Sequence, residues 1–235
     1  MKTFEEFTAK YPVFPLKTGK ELRQPKIDLI TGIGKAASLR DYGGLWGVCG
    51  LYLLEGATAL GCKYAEMVDV TPLEEFSRKV SELKAKSKIH VEMTRADFRN
   101  PKLFETMASV DVSLLYNVML HQDNVAEVIK NVLSKTNQFV CLAQPVLKEE
   151  LFCLPNGCVN LQFYPDKLKT LLRPDCWDEE LTPNEFDTRY WMWGQTVSYF
   201  QSVFHGYQWK IEHLEIYELS QYWNTALIRF VPSNY

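Results

Sequence analysis

From residue 36 onward, short runs of apolar and β-branched residues alternate with longer stretches whose apolar positions recur every three to four residues. The spacing predicts strands at 36–41, 64–70, 89–93, 112–116 and 139–146, with helices at 45–60, 73–86, 101–108 and 124–133 between them. Such alternation predicts parallel strands joined by crossover helices, because a parallel pair needs a connection long enough to return the chain to the same end of the sheet. After residue 147 the pattern breaks into a stretch rich in Pro, aromatic and acidic residues, too long for an ordinary connection and read as an insertion or lid at 148–193. Helical spacing returns at 194–204. Two strand-like runs, 210–219 and 225–231, are separated by SQYWN, short enough for an antiparallel hairpin. Ahead of the alternating region lie a short amphipathic helix at 4–10, a turn marked by Pro12 and Pro15, and a basic polar stretch. The expected organisation is one domain over 1–235: a helical cap (1–35), a cofactor-binding core (36–147), the insertion (148–193), and a terminal helix with its hairpin (194–235).

Composition narrows the partners. A chain of 235 residues with 46% apolar content can bury a single substantial core. A formal charge of -3 and a pI near 5.9 give no general attraction to nucleic acid or anionic lipid. No run is apolar for long enough to span a bilayer, and the first residues are amphipathic and charged, so a cytoplasmic protein with no membrane partner is expected. The six cysteines are scattered, with no ligand spacing; they read as small apolar side chains, and no metal site is expected.

The densest chemical signal is SLRDYGGLWGVCG, where Asp41, Gly43, Gly44 and Gly47 form D-x-G-G-x-x-G at a predicted strand-to-helix junction. Glycines suit a sharp turn against which a ligand lies directly on the backbone. Asp69 ends the next strand, 22 residues after Gly47, where a carboxylate can accept hydrogen bonds from both hydroxyls of a ribose. Asp97 follows the third strand, where it can accept from an adenine amino group while Phe98 supplies an apolar neighbour. Each acid alone would also serve as a helix cap. Together they fall at the carboxyl ends of successive parallel strands, the edge on which open α/β sheets bind ligands.

This order of motifs resembles the class I S-adenosylmethionine-dependent methyltransferases over residues 36–147. LLYNVMLHQ resembles the family's fourth-strand motif, and the terminal helix and hairpin resemble its reversed last strand. The resemblance implies a Rossmann-like three-layer α/β sandwich, with a mostly parallel seven-stranded sheet and an antiparallel C-terminal hairpin strand. It also implies S-adenosylmethionine as cofactor, with Asp41 and the glycines facing its methionine part, Asp69 its ribose, and Asp97 its adenine. Phe98 and Tyr116 join the expected cofactor contacts. The chain departs from the family's pattern at Arg40, where a small or apolar strand residue is common, and at Trp46 inside the turn. A dinucleotide enzyme shares much of this topology, but an acid heading the turn would repel a pyrophosphate and suits a cationic sulfonium with its ammonium group.

The resemblance therefore implies a methyltransferase acting on a small-molecule or sugar-containing acceptor, with O-methylation ahead of N-methylation. A cofactor-binding regulatory or partner subunit without turnover is the reading from another class. Deprotonating a hydroxyl acceptor calls for a base, and His121, after the fourth strand, is the candidate; an imidazole there could equally order its loop. In DTRYWMWG, Arg189, Tyr190, Trp191 and Trp193 are the candidate acceptor contacts, through aromatic stacking and a guanidinium fork; the same cluster could instead cover the sheet at a helix entry. His90, His205 and His213 read as structural.

Overall fold

Strand and helix alternate in the structure as the hydrophobic pattern predicts. The computed structural model describes residues 13–15, 20–45, 47–122, 124–149, 157–160 and 193–234. In chain order the elements are β1 (Val13–Phe14), α1 (Arg23–Thr31), β2 (Ser38–Tyr42), α2 (Leu51–Leu60), β3 (Tyr64–Asp69), α3 (Glu74–Lys86), β4 (His90–Arg95), α4 (Pro101–Thr106) and β5 (Val110–Tyr116). A 3-10 turn (Met119–His121) leads into α5 (Val125–Leu133), β6 (Thr136–Leu147), β7 (Cys158–Asn160), β8 (Trp193–Gln195), α6 (Val197–Gly206), β9 (Trp209–Glu218) and β10 (Trp223–Pro232). Local chemistry sets several starts. Asn100 accepts from Lys102 N at 3.1 Å with Pro101 in the first turn of α4, Asn124 caps α5 at Glu127 N (3.2 Å), and Thr196 caps α6 at Tyr199 N (3.2 Å).

The central sheet runs β1-β9-β10-β6-β5-β2-β3-β4, and β7 with β8 forms a separate antiparallel pair. Strands β2 to β6 are mutually parallel, and β10 is antiparallel to both β6 and β9. The order reverses between β2 and β5. At such a switch point the connections leave in opposite directions and open a crevice at the carboxyl ends of the strands. Helices cover both faces. One apolar cluster joins Leu29, Ile30, Leu53, Met67, Leu114 and Tyr116 under α1, α2 and α3; the other joins Tyr42, Phe104, Ile129, Leu142, Phe200 and Phe230 under α4, α5 and α6.

Four features differ from the sequence expectation. The sheet has eight strands rather than seven, because Val13–Phe14 pairs in parallel with β9, and Phe14 stacks on Tyr217 at 5.1 Å. Pro15, read as part of a turn, is compatible with an adjacent edge strand, which leaves donors unpaired in any case. The helix expected at 45–60 begins only at Leu51, because Gly43, Gly47, Cys49 and Gly50 all adopt positive φ; Leu45 and Val48 keep helical spacing without helical backbone. The basic stretch before residue 36 holds α1, whose Pro25 lies in the first turn, where its missing N–H costs little. Trp193–Gln195 is a strand, so the helix expected from residue 194 starts at Val197. The helix expected at 4–10 and most of 148–193 lie outside the described residues.

Arg40, the outlier in β2, is 1% exposed and sits on the same face as Tyr42. Its guanidinium pairs with Glu66 of β3 (Nη2 to Oε2 2.6 Å, Nε to Oε2 2.7 Å) and donates to the Ala108 carbonyl at 2.9 Å. Glu66 in turn accepts from Thr94 Oγ1 at 2.6 Å. A strand buried from Leu39 to Tyr42 thus tolerates a charge because the neighbouring strand supplies the opposite one.

Candidate functional site

β2 delivers Asp41 to the switch point, with its side chain on the α1/α2 face of the sheet. The carboxyl is fully buried, and neither oxygen finds a hydrogen-bond donor among the described residues. Burial, with nearby Asp69 adding to it, pushes the group up from its ordinary 3.8 to about 8. Gly44 makes room for it, since a Cβ at that position would fall onto the carboxylate. Gly43, at φ 76°, faces Val118, whose Cγ1 would be 2.8 Å from an added Cβ, with Phe98 Cε1 at 3.5 Å. Gly47, at φ 70°, has no atom of the described residues within 4 Å of that position.

Asp69 ties the turn to the end of β3. Its Oδ2 accepts from Leu45 N at 3.3 Å and its Oδ1 from Thr71 N at 3.2 Å, which orients the carboxylate and leaves further lone pairs for a ligand. Val70, immediately after it, is 52% exposed, an apolar surface at a strand end. Phe98 is buried edge-on against Tyr42, with ring centroids 5.7 Å apart. Asp97 is already engaged: Arg99 approaches both its oxygens (Nε 2.9 and 3.0 Å, Nη2 2.6 Å), holding the carboxyl below the usual carboxylate range. A ligand amino group there would share the carboxylate with Arg99.

Tyr116 is inward of these groups. Its hydroxyl donates to the Lys26 carbonyl at 2.9 Å and its ring meets Tyr52 at 5.1 Å, so it anchors α1 beneath the crevice. Asn117, the next residue, is exposed and has φ 56°, a left-handed conformation that non-glycine residues rarely adopt outside special turns. His121 is half-buried at the end of the 3-10 turn, and its N–H donates to the Val118 carbonyl at 3.2 Å. Of the expected acceptor contacts, Trp193 lies on β8, and Arg189, Tyr190 and Trp191 fall outside the described residues, as does Trp46.

Two groups of residues escape a reading by motif. Lys26 belongs to the first: its side chain is buried beside Tyr52, and no local pattern in the basic stretch marks it out. The second gathers at the Met119 carbonyl, which accepts from Gln195 Nε2 and Gln122 N, both at 3.3 Å; Gln195 Oε1 accepts from Gln144 Nε2 at 2.7 Å. In this group Gln122 Oε1, Gln144 Oε1 and, on the same strand as Gln195, Trp193 Nε1 are buried without a partner among the described residues. A buried polar atom without a partner costs roughly 1–3 kcal/mol, a cost that a bound ligand or water removes.

No family model matches the chain, and no curated protein matches its sequence. Solved structures match over most of its length. Magnesium protoporphyrin IX methyltransferase from Synechocystis PCC 6803 with bound SAH is 13% identical, with 89% of this chain and 83% of that one covered and a TM-score of 0.59. Coclaurine N-methyltransferase bound to N-methylheliamine and SAH is 13% identical, with 92% and 74% covered and a TM-score of 0.61. The fold is that of the class I methyltransferases. The N-terminal domain of EvdMO1 with SAH bound adds a third likeness, 11% identical, covering 98% of this chain and 85% of that domain at a TM-score of 0.56. Within the methyltransferase fold, the turn after β2 and the ends of β3 and β5 border the switch-point crevice, and Asp41, Gly43, Gly44, Asp69, Phe98 and Val118 converge there.

Proposed function

We propose that this chain is an S-adenosylmethionine-dependent methyltransferase acting on an oxygen of a small-molecule or sugar-containing acceptor. The observation that carries the reading is Asp41, a buried carboxyl without a hydrogen-bond partner among the described residues, at the head of a glycine turn whose Gly44 leaves it room. An unpartnered acid in a desolvated crevice is matched by a cationic ligand and mismatched to a phosphate. The cofactor therefore fits the residues present, and the solved structures of the same fold carry its product, SAH.

When bound, the cofactor supplies a methyl group on a sulfonium, activated without further help from the protein. Asp41 accepts from its ammonium group, Asp69 from the ribose hydroxyls, and Phe98 and Val70 offer apolar surface to the adenine. Asp97 accepts from the adenine amino group with Arg99 alongside. The protein's part in the rate is chiefly to hold donor and acceptor in line, an effect that in favourable cases reaches about 7–11 kcal/mol. His121 takes the proton of a hydroxyl acceptor. The unpartnered amide oxygens of Gln122 and Gln144 and the indole N–H of Trp193 call for a polar acceptor with several hydroxyls, which supports a sugar-containing one. Arg189, Tyr190 and Trp191 complete this acceptor reading.

Titration calorimetry with SAH tests the cofactor. The parent protein should bind it, and Asp69→Ala should bind at least about tenfold more weakly, the loss expected of one charge-assisted hydrogen bond, with the melting temperature retained. Equal affinities would remove the ribose assignment. Formation of SAH from S-adenosylmethionine with a panel of hydroxylated acceptors separates an enzyme from a subunit that binds cofactor without turnover.

A further inference from the structure

Lys26 is the counterpart of Asp41. It lies in α1, is 6% exposed, and forms no ion pair with any carboxylate among the described residues. Its ammonium lies 5.6 Å from the centroid of the Tyr52 ring and, with the Asn117 amide turned to satisfy both its ends, 3.3 Å from Asn117 Oδ1. The same amide donates to the Ala143 carbonyl at 3.2 Å. Asn117 is exposed at the crevice end of β5, so Lys26 Nζ lies one side chain away from the open site. Burial, with Arg23 adding to it, brings the ammonium down from 10.5 to about 8. A desolvated ammonium with a neutral amide and a ring face as its neighbours is held far short of full compensation.

Its placement is fixed from several sides. The Lys26 carbonyl accepts from Tyr116, the Leu29 carbonyl accepts from Arg229 Nη1 at 3.0 Å, and Ile30 packs against Gly56 of α2, where an added Cβ would lie 3.0 Å from it. Asp41 and Lys26 flank one aromatic pair: the charge of Asp41 acts on both Tyr52 and Tyr116, and Lys26 lies against Tyr52. The crevice therefore holds a buried acid and a buried base, neither with a counter-ion among the described residues. A ligand carrying an ammonium and a carboxylate on one carbon, a zwitterionic α-amino acid head, compensates both.

We infer that Lys26 binds the α-carboxylate of the cofactor's amino-acid part, so that α1 is an element of the cofactor site. The inference rests on the cofactor reading above. The experiment compares two neutral-sulfur probes by calorimetry at pH 7: SAH, which has the amino-acid head, and 5′-methylthioadenosine, which has the same adenosine and sulfur without it. Lys26→Met keeps the length and apolar stem of the side chain while removing its charge. The expected result is that the parent prefers SAH, and that Lys26→Met loses SAH affinity by about ten- to a hundredfold with methylthioadenosine affinity unchanged, which also reports an intact adenosine site. A variant that keeps the parent's preference for SAH overturns the role of Lys26 and leaves the cofactor reading standing. Equal loss for both probes also overturns it, by assigning Lys26 to the architecture of the site. A parent that binds neither probe overturns both readings.

Discussion

Asp41→Asn separates what a buried, unpartnered carboxyl does to this fold from what it does for a ligand. With its folded-state pKa at about 8 against an ordinary 3.8, Asp41 holds a proton in the folded chain that the unfolded chain has released. Excess proton binding by the folded state stabilises it at low pH, and the contribution is lost as pH rises through about 8. Between about pH 6 and pH 9 the loss comes to about 2–3 kcal/mol. Lys26 has the opposite sign: its folded-state pKa, about 8, is depressed, so its penalty is relieved above that pH, but it does so in parent and variant alike. Asn has no proton to lose. The variant should match the parent or fall below it at pH 6, since its amide adds buried donors, and should gain about 2–3 kcal/mol on the parent by about pH 9. For a chain of this size that is a relative melting shift of about 5–10 °C, measured by circular dichroism without cofactor. Melting curves that stay parallel across this range would refute the reasoning, because Asp41 would then ionise without penalty and could not be closed off from water. The same variant should lose the SAH-induced rise in melting temperature that the parent shows.

Three further outcomes follow from contacts of the same turn, the neighbouring strands and the end of β5. Gly44→Ala drives a methyl group onto the Asp41 carboxylate and should cost roughly 1–3 kcal/mol in urea denaturation, with SAH affinity reduced at least about tenfold in calorimetry. Arg40→Met leaves Glu66 buried without its partner and should cost about 3–5 kcal/mol, whereas adding Glu66→Leu should recover most of it; a double variant no better than the single would argue against the pair. With a hydroxyl acceptor in hand, His121→Ala should lower kcat by about a hundredfold or more and remove the acidic limb of the rate profile, and an unchanged profile would exclude His121 as the base.

The part of the candidate site that spacing can place is the part built at strand ends. Asp41, Asp69 and Phe98 can be placed near one edge because period-two strands and period-3.6 helices locate where each strand stops, and the parallel topology carries those ends together. Topology sets position but not partnership. That Arg99 occupies Asp97, or that Tyr116 turns its hydroxyl toward α1, depends on side chains whose directions no spacing encodes. The turn illustrates the same limit, since Leu45 and Val48 keep the helical period through residues whose positive φ rules a helix out. Arg40 looked foreign to a strand interior only while Glu66, 26 positions away in sequence, was not known to lie beside it.

Lys26 is the extreme case: a basic residue in a stretch that reads as solvated becomes the buried cation of the crevice once Leu29 and Ile30 fold α1 onto α2. Both burials lower the stability of the ligand-free fold at neutral pH, Lys26 by holding a charge away from water and Asp41 by keeping a proton that the unfolded chain has released. A zwitterionic head group relieves both at once, so binding and stability are linked through these two residues, and a ligand at a hundred times its Kd adds about 2.7 kcal/mol to the fold. The two groups need not touch each other for this to hold. It is enough that each is left without a counter-ion among the described residues, close to the Tyr52–Tyr116 pair.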